Sequence, residues 1–403
     1  MHKLFLPEGH HILIHFLKNR RIYQAKNIAS INTCNGFTKN TCNGFTKIII
    51  ILSINRRKKG NTMRQTLKIN HNKKFCCIYQ VIILMIITCI PAMCFANISI
   101  TQTIHLKAGW NAIFVEILPD EPDPDVLFNN TPVSQILAFL QDKSSVQFIE
   151  SPDEIDWKSE KWCRWVPPNG PESFLKNLYS IKNDQAYIVF AASDYTLNIT
   201  GTPSIQTRQW FPDAYNLVGF YVDPVTPPTF EQYFAGSRNH QDTEIFTLAN
   251  NTWNKIKKID QTNIESGKAY WVFCNGGSQY SGPLEVVVPG TGNDLDFGRT
   301  IPQWELSFVN HSPDPLSFTV TPIPNSATDI GVPMSIQSYT DLTVKVFTPF
   351  QVQTPPMNLE AGQSLKLNLS IRRDFIDKPE ISSLLKIADD LGNRFYLPIR
   401  AEQ

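Results

Sequence analysis

The sequence predicts a mainly β protein: two tandem, diverged β-rich repeat domains followed by a β-sandwich. Three observations predict it. Segments of alternating Val, Ile, Phe, Tyr and Thr recur after residue 97, while long amphipathic helical stretches are few and prolines number 28. The chain aligns with itself at two pairs of segments. Its last ~110 residues carry short strand patterns separated by closely spaced turn signals.

An address precedes this β body. Val81–Ala96, VIILMIITCIPAMCFA, is an apolar run preceded by Arg64, Lys68, Lys73 and Lys74 and ended by Cys94-Phe95-Ala96. A basic region, a short greasy segment and a small-x-small ending make a secretory signal over 63–96, cut after Ala96. The run is shorter than the ~20 residues that cross a bilayer comfortably, so membrane contact is expected only in transit. Met93 stands before Cys94 where lipid attachment requires a small residue. Residues 1–62 are expected to be unstructured or to precede the true start at Met63. They hold a tandem duplication, Asn32–Lys39 and Asn40–Lys47, whose eight-residue period is too short for a stacking repeat.

Charge divides at the same place. Residues 1–96 hold 15 of the 37 Lys and Arg and one of the 36 acids, leaving 22 basic and 35 acidic residues in the body. A leader of +14 and a body of −13 give the near-neutral total. An acidic body repels phosphate backbones, so nucleic acid is not an expected partner.

The first repeat covers 97–203 and the second 204–289. Trp110–Pro119 aligns with Tyr215–Pro224, and Ile181–Phe190 (IKNDQAYIVF) with Ile264–Phe273 (IESGKAYWVF). In each copy an aromatic-Asn pair opens one strand, and Ala-Tyr-x-Val-Phe forms a second, with Tyr187 and Val189, or Tyr270 and Val272, on one face. Val133–Leu140 and Phe230–Phe234 are the expected short helices, and Ser151–Pro171 an expected loop. Shared positions are apolar apart from Asn111 and Asn216, amides suited to tying a backbone turn. Trp110, Trp253 and Trp271 are expected in the core.

From 290 to 403 about seven strand patterns fit an immunoglobulin-like sandwich. A hairpin is expected between Leu306–Phe308 and Leu316–Val320 around Asn310–Pro315, and another between Leu384–Ile387 and Phe395–Ile399.

Leu106-Lys-Ala-Gly-Trp110-Asn111 and Gly267-Lys-Ala-Tyr270-Trp271 resemble a Gly-Trp-Asn … Ala-Tyr-Trp repeat of uncharacterised exported bacterial β proteins. The second copy departs with Asp213-Ala-Tyr215-Asn, the first with Asn183-Asp-Gln-Ala-Tyr187-Ile. The tail, from Leu295-Asp-Phe-Gly298 to Leu391-Gly-Asn-Arg-Phe395, resembles immunoglobulin-like modules of the abnormal-spindle type. Neither resemblance implies an activity.

No nucleophile elbow, Walker loop or dinucleotide fingerprint occurs. The body's histidines, His105, His240 and His311, fall one per module without ligand spacing, so no metal or cofactor is expected. Cys163 and Cys274 could bridge or stay free. Asp120, Glu121, Asp123 and Asp125, and Asp153, Glu154 and Asp156, could serve a hydrolase or Ca²⁺, but charge runs of this kind are ordinarily solvated loops. Trp157, Trp162 and Trp165 are the candidate ligand-binding residues: large aromatic faces in a polar loop, able to stack on a sugar or to anchor a partner, or else to fold back over the sheet. The expected function is an exported, secreted, periplasmic or cell-surface, non-enzymatic binding or assembly protein with a protein or glycan partner. Glycan binding through the Trp157–Trp165 loop and glycoside hydrolysis by loop carboxylates are the alternatives.

Overall fold

The computed structural model describes residues 2–6, 10–14, 52–54, 57–58, 61–62, 65–67, 98–140, 162–290, 294–325, 331–340 and 344–403. The chain divides into two units, Met1–Cys94 and Phe95–Gln403. In the first, β1 (His2–Leu6) pairs with β2 (His10–Ile14), β3 (Leu52–Ile54) with β6 (Gln65–Leu67), and β4 (Arg57–Lys58) with β5 (Asn61–Thr62). The sequence predicts no structure in 1–62, so these pairs are a difference. They are two-stranded, below the three strands that independent stability ordinarily needs. The duplication and the Val81–Ala96 segment lie outside the described residues.

The second unit begins with β7 (Ile100–Leu106), β8 (Gly109–Val115), β9 (Ile117–Pro119), helix α1 (Pro124–Leu127), β10 (Val133–Phe139), β11 (Trp162–Trp165), β12 (Gln185–Ala191) and β13 (Tyr195–Pro203). They form a four-stranded sheet, β8-β12-β10-β11, and a three-stranded sheet, β7-β13-β9. The segment Trp110–Pro119 is thus two strands in two sheets, with Glu116 at the corner. Strand β12 explains the layering: Tyr187 and Val189 pack toward the three-stranded sheet, Ala186 and Ile188 toward the second copy.

Two expectations fail here. Val133–Phe139 is a strand, because β11 and β12 flank it and its Ile136, Leu137, Ala138 and Phe139 are buried on both faces. A short apolar run buried on both sides looks the same as a buried helix in periodicity. Within the expected loop, 162–165 is β11, an edge strand of that sheet.

Next come β14 (Ala214–Val218), α2 (Phe230–Phe234), β15 (Ile245–Ala249), β16 (Thr252–Lys255) and β17 (Tyr270–Cys274), in the sheet β14-β17-β15-β16. Helix α2 is the expected one. Thr229 and Gln232 close a capping box at its start, and Phe230, Tyr233 and Phe234 pack on Phe220 and Tyr270. The opposite face of this sheet meets the four-stranded sheet β8-β12-β10-β11. Trp110, Phe114, Phe139 and Trp162 from one side, and Trp253 and Trp271 from the other, share one core.

The remaining strands are β18 (Leu284–Val287), β19 (Leu295–Asp296), β20 (Gln303–Asn310), β21 (Leu316–Ile323), β22 (Met334–Thr340), β23 (Val344–Phe350), β24 (Met357–Leu359), β25 (Ser364–Ile371), β26 (Glu380–Asp389) and β27 (Arg394–Glu402). Two five-stranded sheets, β18-β20-β25-β22-β23 and β19-β27-β26-β21-β24, enclose Phe308, Phe318, Val320, Leu369, Leu385 and Leu397. The closing hairpin β26–β27 is as expected. The hairpin around Asn310–Pro315 is not: β20 and β21 lie in opposite sheets. Buried Asn310 donates to the Asp314 and Leu359 carbonyls, 2.9 and 3.0 Å away, and so ties a crossing between the sheets. Strand β18, from the stretch assigned to the second repeat, hydrogen-bonds to β20 and adds to the sandwich.

Candidate functional site

The candidate tryptophans come first. Trp157 lies outside the described residues. Trp162 and Trp165 are 4% and 2% exposed, which corrects their assignment to a ligand-binding loop. Trp162 packs 5.0 Å from the ring of Phe139, in the core shared by the two copies. Trp165 lies 5.6 Å from Phe128, and its indole N–H donates to Asp125 at 2.7 Å. Neither offers a face to a sugar. The two indoles join different cores: Trp162 the one shared with the sheet β14-β17-β15-β16, Trp165 the one beside Phe128.

The acidic loop has structural work. Asp120 accepts from Ser99 at 2.8 Å, and Asp123 caps α1 through the backbone N–H of Asp125 at 2.9 Å. Hydrogen bonds from Lys176, at 2.6 Å, and from Trp165 hold the Asp125 carboxyl below its ordinary range. Residues 153, 154 and 156 lie outside the described residues. Among the described residues no group of three or more His, Cys, Asp or Glu could hold a metal.

Each histidine is engaged locally. His105 lies 3.3 Å from Thr196 on exposed strands, and His311 2.6 Å from the Glu285 carboxylate. His240 Nδ1 lies 2.6 Å from Ser237 Oγ, which in outline is half of a nucleophile–base pair. Both residues are buried, however, and the imidazole is packed 4.3 Å from Trp210 and 4.6 Å from Phe234. Burial, reinforced by the nearby Arg208 charge, pushes its pKa down to about 4. Its Nε2 has no partner among the described residues, so nothing orients the ring as a base. Cys163 and Cys274 are not bridged by a disulfide, and the Cys274 thiol donates to the Gly276 carbonyl at 3.1 Å.

The unusual chemistry lies at the seam where the two preceding sheet assemblies meet the sandwich. Glu116, 5% exposed, takes the Arg394 guanidinium at 3.3 Å, and Ser266 donates to it at 3.3 Å. Burial raises the Glu116 pKa, against the pull of Arg394 and Ser266. Arg394 also donates to the Val222 carbonyl at 2.8 Å. Nearby, Arg208 pairs with Asp184 at 3.2 Å, and Tyr221 donates to the same carboxylate at 3.2 Å. Burial disfavours the Arg208 charge, but the Asp184 carboxylate outweighs it and holds the guanidinium charged. The guanidinium lies 5.5–5.8 Å from the ring centres of Phe114, Trp210 and Phe220.

Beside Arg208 is a cavity of about 210 Å³. It is lined by Ile205–Arg208, by β18 and by Tyr221, Tyr233 and Phe395. The sequence reading passed over this cluster. One signal was available: Glu116 is an acid inside the apolar run Phe114-Val-Glu-Ile-Leu118, where a charge demands a partner.

No family model matches the chain, and no curated protein matches it in sequence. Solved structures similar to it include an ASH/PapD-like domain of human CEP192, at 7% identity and a TM-score of 0.19 over 30% of this chain and 84% of that one. Two Vibrio cholerae proteases, the secreted serine protease VesC and the VesB protease, also match at a TM-score of 0.19. VesC is 10% identical over 68% of this chain and 69% of its own. VesB is 9% identical over 75% of this chain and 99% of its own. Likenesses of that grade assign no activity. Among the described residues no helix is long and apolar enough to cross a membrane.

Proposed function

We propose that the body acts outside the cytosol as a non-enzymatic binding or assembly protein, delivered by the Val81–Ala96 segment. The observation that carries this reading is the β22–β23 hairpin. Strand β23 ends its sheet among the described residues, and Val344 through Pro349 are exposed on both faces. Tyr339 and Phe347, 53% and 52% exposed, share one face; Val344 and Val346 share the other. A strand edge with free backbone groups and apolar side chains on both sides recruits another strand unless it is blunted, and within β23 Lys345 and Pro349 are the blunting residues. The occupant that fits is an extended, apolar-alternating segment of a partner protein.

Two further features support a packing role for the rest. The strand orders β8-β12-β10-β11 and β14-β17-β15-β16 correspond one to one, as duplication of a scaffold would leave them. The resemblance of the copies to exported bacterial repeats, and of the tail to abnormal-spindle-type modules, points the same way.

The test is selection of random displayed peptides on the immobilised protein, with Val346→Lys/Phe347→Glu protein as the counter-target. Enriched peptides should alternate apolar residues and lose binding to the variant. Failure to enrich, or binding indifferent to the variant, would sink the reading. Mass spectrometry of the exported protein should find Asn97 at its start.

A further inference from the structure

We propose that the strand recruited by β23 is β23 of a second copy of this chain, the two edges joining antiparallel about a two-fold axis into one continuous sheet. This dimer rests on the reading of β23 as a recruiting edge and supplies the edge's occupant. Backbone direction sets the register. Pro349 has no N–H to give Ser335, its partner on β22, so its backbone faces away from β22, as that of prolines in edge strands does. Residues along an antiparallel ladder alternate in the side to which they hydrogen-bond. Lys345 and Phe347 therefore face outward with Pro349, while Val344, Val346 and Thr348 bond to β22. From Val344 to Pro349 the outward N–H groups are those of Lys345 and Phe347. A second copy centred on Val346 sets Lys345 opposite Phe347 in both directions, so each outward N–H meets a carbonyl. Pro349 then falls beyond the paired stretch Val344–Thr348. Centring on Phe347 instead would set Lys345 against Pro349 and lose a bond from each copy.

The side chains suit the same register. On one face Val346 meets its counterpart on the axis and Val344 lies opposite Thr348; on the other, the Lys345 stem lies beside Phe347. The hairpin also projects. Strand β25 pairs with β22 only over Met334–Gln337, so Ser338–Thr340 and their partners Val344–Val346 extend past β25 and leave room for a second body. The exposed parts of Tyr339, Val344, Val346 and Phe347, with the paired backbone, amount to roughly 1,000 Å² buried in total, the lower bound for a specific interface, so the dimer is weak. Each body has 22 basic and 35 acidic residues, and salt that screens this like charge should tighten the dimer.

The experiment is sedimentation equilibrium on the full chain, with disulfide trapping. Wild-type protein should shift from monomer to dimer with concentration and with added salt, and Val346→Lys/Phe347→Glu should weaken the dimer at least a hundredfold. Val346→Cys should oxidise to a covalent dimer joined between the two positions 346, because a non-hydrogen-bonded pair brings its Cα atoms to about 4.5 Å, within disulfide reach. Lys345→Cys, offset two residues from its counterpart, should not. A wild type that stays monomeric while displayed peptides still enrich on the β23 edge overturns the dimer and leaves the recruiting edge standing. Monomer without peptide enrichment overturns both. A dimer indifferent to Val346→Lys/Phe347→Glu, or trapping at 345 in preference to 346, also overturns the proposal.

Discussion

Glu116 and Arg394 are 278 residues apart in sequence and 3.3 Å apart in space, and both are largely removed from water. The pair joins the corner between β8 and β9 to the start of the last sandwich strand, and Ser266 of the second copy touches both side chains. A buried pair contributes little over a well-packed apolar one, but breaking it strands a charge. Arg394→Ala should therefore cost about 3–5 kcal/mol in denaturant unfolding. Glu116→Gln should cost less, since burial already favours the neutral carboxyl. The double variant should fall well short of the sum of the two, because the second substitution removes the charge that the first left unpaired. Additive losses would show that the two groups do not act as a pair.

Two buried groups impose opposite pH dependences. Asp389 has its pKa raised by burial to about 6 from 3.8, against hydrogen bonds from Asn393. The folded protein holds that proton more tightly than the unfolded chain, so the stabilisation is complete below the unfolded pKa and is lost as pH rises through 6. His240, lowered to about 4 from 6.5, behaves the other way: its contribution is present above 6.5 and is lost as pH falls through 4. Each effect is worth about 3 kcal/mol at full extent, so they nearly cancel between pH 4 and 6.5. Relative to the wild type, Asp389→Asn should lose stability on acidification across that window, and His240→Gln should gain it. Unfolding curves at several pH values, read as differences from the wild type, check both signs.

The paired motifs stand out in the sequence because each of their residues does a local job. Asn111 accepts from the Lys107 N–H at 2.8 Å and donates to the Lys107 and Gly109 carbonyls; Asn216 does the same with Phe211 and Ala214. The Tyr187 hydroxyl accepts from the backbone N–H five residues earlier, as does that of Tyr270. Contacts confined to a few residues leave a trace in sequence. What escaped depends on distant partners. Whether Val133–Phe139 is helix or strand is decided by β11 and β12, and whether β20 turns back on β21 is decided by Asn310 reaching Leu359. The seam was hidden for the same reason, since Arg208, Asp184, Glu116 and Arg394 come from four separate stretches.

The tryptophans of β11 supply a test that separates packing from recognition. Trp162 fills the interface between the copies, and Trp165 closes the core beside Phe128. Replacing either with Ala should cost about 3–5 kcal/mol, as removal of a buried aromatic side chain does. Trp165→Phe should lose less, giving up chiefly the N–H donated to Asp125. Near-ultraviolet circular dichroism and thermal unfolding measure the change. Unchanged stability in Trp162→Ala would mean that the indole is not in the shared core.

A glycine provides the sharpest check on how the closing hairpin of the sandwich meets the second copy. Gly392, in the turn between β26 and β27, has φ +96°, a region disfavoured for residues with a side chain. A Cβ built there would lie 1.8 Å from the Thr226 carbonyl oxygen, so alanine meets strain and backbone together. That backbone cannot move aside cheaply: the Asp223 N–H donates to the Gly392 carbonyl at 2.7 Å, and the Arg394 N–H to the Tyr221 carbonyl at 3.0 Å. Gly392→Ala should therefore loosen the seam rather than the sandwich interior. Hydrogen exchange should speed up at Asp223 and Arg394 while Leu385 and Leu397, deep between the sheets, keep their protection. Faster exchange at all four would show that the turn holds the sandwich itself together; no change at any would show that the contact with Thr226 is not made in solution.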